Sequence, residues 1–426
     1  MASTNTVDQS ITVTEPWWKE PTRDQWRTLL ASWAGWCLDL FDFSLLVLVL
    51  SDVAKTYDVS LVAMGTVLTG TLICRVFGGV LFGTWGDRVG RKLPLMMSIA
   101  TYAVFSALSG VMPTFGWFFV CRLLFGFGMG GEWAAGTPLA MESWPKRSRG
   151  IASAILQSGY PCGYFLATIS YFVIYPLWGW RVLFVFGVLP ALLVFYIRRN
   201  VKESPVFQAR RTALKVSGNP EKGISFVRLF KPDIIWTSLH AFLVMTGAML
   251  SNFCMAYLWP TYLTNELHVT IGQKTLFIVL LNAGSLVGYM CSGSLSEITG
   301  RRIALSTFAL AGVLLIPLYC LTSDYTLLMI GGILEGFFSV GLWGVIPAYL
   351  AERFPTSVRG VGPGASFSVG AAVGSFGPTV QTLLVQRAGI SVGQAIAVGM
   401  AVSLVFLAVC IFLGPEPKGR EFTPDN

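Results

Sequence analysis

The sequence predicts an all-α polytopic membrane protein with twelve transmembrane helices in two pseudo-symmetric halves of six. Three observations carry that prediction. The 426 residues are 54% hydrophobic and 12% charged, with a mean hydropathy of +0.64, far more apolar than a soluble domain. Charge is gathered into short blocks, and the apolar runs between them are about 20 residues long, enough for a helix to cross a hydrocarbon core about 30 Å thick. The chain also repeats itself at an offset of 210 residues.

The apolar runs fall at 28–50, 62–84, 94–112, 117–141, 151–174 and 181–198, and then at 235–262, 273–294, 303–321, 326–349, 361–385 and 393–413. A polar tail over 1–27 precedes the first run. Glu15 and Glu20 flank Trp17 and Trp18 there, and the tail has no apolar stretch and small-residue cleavage site, so it reads as interfacial and not as a signal peptide. The stretch 199–234, basic and containing Pro205, Gly218, Pro220 and Pro232, is the linker between a first half at 28–198 and a second at 235–413. A short tail follows at 414–426.

Duplication is written in the loops. "ESWPKRSRG" at 142–150 returns as "ERFPTSVRG" at 352–360, and "GTWGDRVGRK" at 83–92 faces "GSLSEITGRR" at 293–302. Gly159 and Gly163 return as Gly370 and Gly374, one residue out of step, each a small-residue pair that lets helices approach closely in lipid. An even number of spans per copy makes the halves parallel, related by an axis along the membrane normal.

The net charge of +8 reports topology. One side of the membrane receives 24 of the 30 Lys and Arg residues, while the other keeps Lys55, Arg181, Lys274 and Arg387. The positive-inside bias makes the rich side, with both termini, cytoplasmic. No nucleic-acid partner is implied. All eight cysteines fall inside the runs without a CxxC pair and read as small buried hydrophobes, so no disulfide, metal or cofactor is expected.

Ionisable groups near a bilayer midplane cost about 2.5–3.5 kcal/mol by insertion scales and are functional candidates. Asp39 and Asp42 lie three residues apart on one face of the first helix, Arg75 sits mid-span in the second, and Arg122 and Glu132 share the fourth. The positions 210 residues further on read Met249, Asn252, Ser285, Gly332 and Leu342, and the second half offers only Glu335 and His240. A packing device shared by both copies would recur, and this set does not. Arg75 is expected beside Asp39, Asp42 and Glu132 in one polar cluster facing a water-filled cavity. Arg122, five residues into its span and so roughly 7–8 Å deep, is expected nearer the outer surface. A carboxylate held by an Arg can switch protonation when an incoming anion captures that Arg, which is proton symport in physical terms. Gln157, Tyr160, Tyr164, Asn252, Asn282 and Ser285 are the remaining candidates for contact with substrate.

In the loop at 83–92, Gly86 and Gly90 permit a short turn, Asp87 can cap a helix start, and Arg88, Arg91 and Lys92 lie against helix ends and lipid phosphate. Topology alone would also account for these charges. With Glu142, Arg149, Glu297, Arg301, Glu352 and Arg359 from the repeated loops, they form a candidate conformational latch.

"GDRVGRK" resembles the signature loop of the major facilitator superfamily, and "RLLFGFGMG" at 122–130 is similar to its fourth-helix motif. More narrowly, "WAGWCLDLFDFSLL" (33–46), "RVFGG" (75–79), "GMGGEW" (128–133), "MESWP" (141–145) and "WGWR" (178–181) resemble the sialate:proton symporter family. "SEITGRR" departs from the fuller loop motif, and two additional spans found in some members are missing. The resemblance implies the major facilitator fold, links Arg122 to proton coupling, and has Asp87 and Arg91 hold one access state by bridging toward the other half. The expected function is proton-coupled import of an organic anion, sialic acid or a related sugar acid, by a monomer in the cell inner membrane. A monocarboxylate or aromatic-acid symporter is the alternative within transport. A membrane sensor is the alternative of another class, weakened by the absence of an appended soluble domain. No HExxH or metal-ligand set argues for an enzyme.

Overall fold

A computed structural model describes residues 16–217 and 225–422. Residues 1–15 of the expected N-terminal tail, Gly218 and Pro220 of the linker, and 423–426 lie outside the described residues. Among those described there is no strand.

The first half begins with α1 (Arg23–Leu48), α2 (Leu61–Val89), α3 (Lys92–Val111) and α4 (Phe115–Ser143). α1 starts five residues before the apolar run because Thr22 and Gln25 close a capping box on its first turn. The helical run that follows doubles back at Gly179, whose φ of +72° suits glycine alone, giving α5 (149–178) and α6 (180–200). The linker carries a helix at Pro205–Ser217.

The second half comprises α7 (Ile235–Ala256), α8 (Ile271–Thr299), α9 (Arg301–Cys320), α10 (Tyr325–Arg353), α11 (361–388) and α12 (Val392–Leu413). Among the described residues nine helices pass a length-and-hydropathy test for spanning a membrane, and one of them, Lys146–Asn200, is the α5–α6 pair. The glycine-rich α4 and α11 complete the twelve. Glycine adds little hydropathy but lets these helices approach their neighbours closely, as at Gly126 and Gly130 of α4 and Gly370 and Gly374 of α11.

The halves meet where α2 packs on α11 and α5 on α8. Gly159 and Gly163 seat α5 against Trp33 and Cys37 of α1, and Gly370 and Gly374 seat α11 against Met245 and Met249 of α7. The repeated pairs thus do the same job in both copies. The described ends of the chain lie on one face, where Trp17, Trp26 and Phe422 pack around Met141 and Trp144.

Candidate functional site

Arg75 projects from the middle of α2, where Gly130 of α4 lies against its backbone so closely that a Cβ would meet the Arg75 carbonyl. Its Nη2 is 3.8 Å from Asp39 Oδ2 of α1. That is beyond hydrogen-bond range, and among the described residues neither Nη2 nor either Asp39 oxygen has a hydrogen-bond partner. An unbonded buried polar atom costs about 1–3 kcal/mol, more when charged, so the pair is electrostatically matched but unsatisfied. The guanidinium lies over two rings, Trp36 of α1 at 5.4 Å and Phe367 of α11 at 4.8 Å. Glu132, packed against Gly35 of α1, and Tyr160 of α5 are its other electrostatic neighbours.

Of the carboxylates expected around Arg75, only Asp39 comes within 4 Å of it. Asp42, three residues along α1, has Arg122 of α4, Asp39 and Ser106 of α3 as electrostatic neighbours, and both its oxygens are without a hydrogen bond among the described residues. Arg122 is fully buried among the helices. It donates to Ser109 Oγ at 2.9 Å and Ser106 Oγ at 3.5 Å and lies over the rings of Phe125 and Phe184 at 4.6 and 4.4 Å. Tyr102 of α3, whose hydroxyl donates to the Gly35 carbonyl at 3.2 Å, is an electrostatic neighbour of Asp39, Glu132 and Asp42.

Of the other candidates, Gln157 is buried with an unbonded Oε1. Tyr160 packs on Trp36 at 6.3 Å and neighbours Tyr164. Asn282 and Ser285 bond to carbonyls of their own helix, at Ile278 and Asn282, so much of their polarity is used there. Asn252 is half-buried on α7.

Aromatic residues are what sequence reasoning missed. Trp133 of α4 packs on Phe367 at 4.8 Å, Trp343 of α10 meets the same ring at 6.5 Å, and Tyr289 of α8 neighbours Tyr160 and Ser285. The indole N–H groups of Trp36, Trp133 and Trp343 are buried and unbonded. A mid-span aromatic reads the same in sequence whether it faces lipid, core or cavity, so no signal singled these out.

The charged loops meet at the face that carries the described ends of the chain. Gly90 (φ +112°, ψ 164°) and Gly300 (φ +99°, ψ 159°) occupy a region open essentially to glycine, and there the chain turns from α2 into α3 and from α8 into α9. Asp87 accepts hydrogen bonds from the Gly360 and Val361 amides at 2.8 and 3.0 Å, capping α11 across the divide. Glu297 does the equivalent for α5, accepting from the Gly150 amide. Arg91 lies 3.0 Å from Asp87 and 3.3 Å from Glu142 and donates to the carbonyls of Gly86 and Thr356. Burial opposes its charge, but Glu142 and Asp87 outweigh that and hold its pKa above the ordinary value. Arg301 lies 3.0 Å from Glu297 and grips Glu352 through Nε and Nη2 at 3.1 and 3.2 Å. Arg149 crosses from the first half to Glu352 and Arg359 crosses from the second to Glu142, both at 3.2 Å. Each glutamate therefore holds one arginine from either half. Arg88 sits in the last turn of α2, and Lys92 bonds the Arg198 carbonyl within its own half, so it does not cross. The Arg91 and Lys92 amides donate to Glu203, a partner that the sequence analysis did not name.

Twelve helices in two repeats, charged pairs in the membrane interior and ion pairs pinning the halves at one face define a secondary transporter and not an enzyme. The family described as Major Facilitator Superfamily matches residues 33–253 and 241–426, and the chain belongs to it. The chain is 30% identical over 400 residues to the sialic acid transporter NanX of Escherichia coli, covering 93% of this chain and 95% of the relative. It is also 30% identical over 412 residues to a probable 4-methylmuconolactone transporter of Cupriavidus pinatubonensis, covering 95% and 93%. Among solved structures, the proton:xylose symporter XylE bound to 6-bromo-6-deoxy-D-glucose superposes with a TM-score of 0.75 at 17% identity, covering 94% of this chain and 98% of that one, a likeness of fold.

Proposed function

We propose that this protein imports an organic acid anion together with protons, as a monomer in the cell inner membrane with both termini cytoplasmic. The observation that carries the reading is the unsatisfied Arg75–Asp39 pair at the boundary between the halves. A substrate carboxylate can pair bidentately with the Arg75 fork, which a loosely held Asp39 does not fill. Asp39 then loses its counter-charge and takes a proton. Asp42, with Arg122 as its electrostatic neighbour, is the second titratable station. Neutralising the interior in this way lets the loaded halves rock past each other without carrying an unpaired charge through lipid.

Two substrate classes are in view, and NanX and the muconolactone transporter are equally similar to this chain. NanX supports a sugar acid. The walls support a planar, conjugated or aromatic monocarboxylate better: Trp36, Trp133, Trp343 and Phe367 supply ring faces, while Asn282 and Ser285 bond to their own helix. A polyhydroxylated acid needs many partners for its hydroxyls. Binding of benzoate, a dienoic acid and N-acetylneuraminic acid to the purified protein ranks the classes, and tightest binding of N-acetylneuraminic acid would reverse the preference for planar acids.

A further inference from the structure

Beyond α12 the chain runs beneath the bundle and is fastened to it at several points. Glu416 accepts hydrogen bonds from the Arg301 and Arg302 amides, both at 2.9 Å, and Lys418 Nζ donates to the Ile298 carbonyl at 3.1 Å. These contacts anchor the tail to the second half. The next residues reach the first half: Arg149 Nη1 donates to the Arg420 carbonyl at 3.4 Å, and Glu421 lies 3.4 Å from Lys146.

Phe422 ends this path on the two arginines that cross between the halves. The Arg149 guanidinium carbon is 3.8 Å from the ring centroid and that of Arg359 is 3.9 Å. Two planar guanidinium groups stacked on one face at those distances would overlap, so the ring lies between them. Each gains a π face, and the ring keeps two like charges apart. Arg149 is bound to Glu352 and Arg359 to Glu142, so one side chain braces both cross-half ion pairs at once.

We propose that Phe422 is a positioning residue of this latch: the C-terminal tail locks the terminal face closed by clamping Arg149 and Arg359 on opposite faces of its ring, and it must withdraw before that face opens. The tail belongs to the second half through Glu416, so separation of the halves pulls the ring from Arg149. Phe422 thus sets how often the face opens, not what the carrier binds.

The test is independent of which acid is carried. Double electron-electron resonance is recorded on the full-length purified protein with spin labels at Val89 and Ile298, exposed positions at the ends of α2 and α8, in a background lacking the exposed thiol Cys291. Phe422→Leu keeps apolar bulk and removes the π face, whereas Phe422→Trp keeps both. The expected result is an increase of about fivefold in the long-distance population for Phe422→Leu, with Phe422→Trp at the parent level. Truncation after Pro417, which retains Glu416, should open the face at least as far. A parent-like distribution in Phe422→Leu, or equal opening in the Leu and Trp variants, overturns the clamp.

Discussion

The guanidinium of Arg75, in the first half of the protein, lies 4.8 Å from the ring of Phe367, in the second. A cation proposed to meet the substrate's carboxylate therefore touches the part of the molecule that must move relative to it. Binding at Arg75 is felt by both halves at once, which is what a carrier needs if occupancy is to control which face opens.

Replacing Arg75 should separate geometry from charge. Lysine keeps the charge but offers a compact, strongly hydrated ammonium in place of a planar fork. The loss of one charge-assisted hydrogen bond, about 1.5–3 kcal/mol, predicts roughly 10- to 100-fold weaker acid binding in Arg75→Lys. Arg75→Ala should not bind. Calorimetry on the purified variants checks both, with Arg122→Lys as the comparison expected to keep its affinity.

The two first-helix aspartates should behave differently, because they face different arginines. Asp39→Asn removes the competitor for Arg75, so acid binding should stay at least as tight while accumulation against a gradient is lost. Asp42→Asn should also lose accumulation yet keep substrate exchange. Counterflow and gradient-driven uptake, measured side by side, distinguish these outcomes from simple inactivation.

Which parts of this were legible in the sequence follows from the physics of each. Lipid demands long apolar runs, so all the crossings could be read, and the loops around Asp87 and Glu297 stood out because they occur twice. Pairing in the interior was not legible. The spacing of Asp39 and Asp42 gives a shared helix face, but which arginine lies nearest each depends on how α3 and α4 pack, as do the bonds from Arg122 to Ser106 and Ser109. The aromatic walls and the path of the tail to Arg149 and Arg359 are long-range contacts that no local pattern encodes.

The latch should respond to loss of either glutamate. Removing one partner from a buried ion pair costs about 3–5 kcal/mol, so Glu142→Ala or Glu352→Ala should shift the protein strongly toward opening at the terminal face. Asp87→Ala, which uncaps α11, and Gly90→Val, which forces a β-branched residue to a φ of +112°, should slow turnover by about tenfold or more with little change in affinity. Separate KM and kcat values for exchange would reveal the effect, and parent-like kcat in both would return this loop to a purely topological role.

The aromatic walls predict selectivity. Phe367→Leu and Trp36→Leu should weaken binding of benzoate-like acids by about 0.5–1.5 kcal/mol each, the worth of an aromatic contact beyond its area, while changing aliphatic acids less. Competition binding with matched aromatic and aliphatic carboxylates measures the difference.

Proton-coupled uptake itself is tested most directly in proteoliposomes holding the parent protein or Arg75→Ala, with an acidic exterior and a labelled aromatic acid outside. The Arg75→Ala vesicles correct for undissociated acid that crosses the bilayer unaided. The parent should accumulate the acid well above the variant, and a protonophore should collapse the excess. Uptake by the parent that only equilibrates, or an excess that persists without the pH gradient, would contradict proton-coupled import.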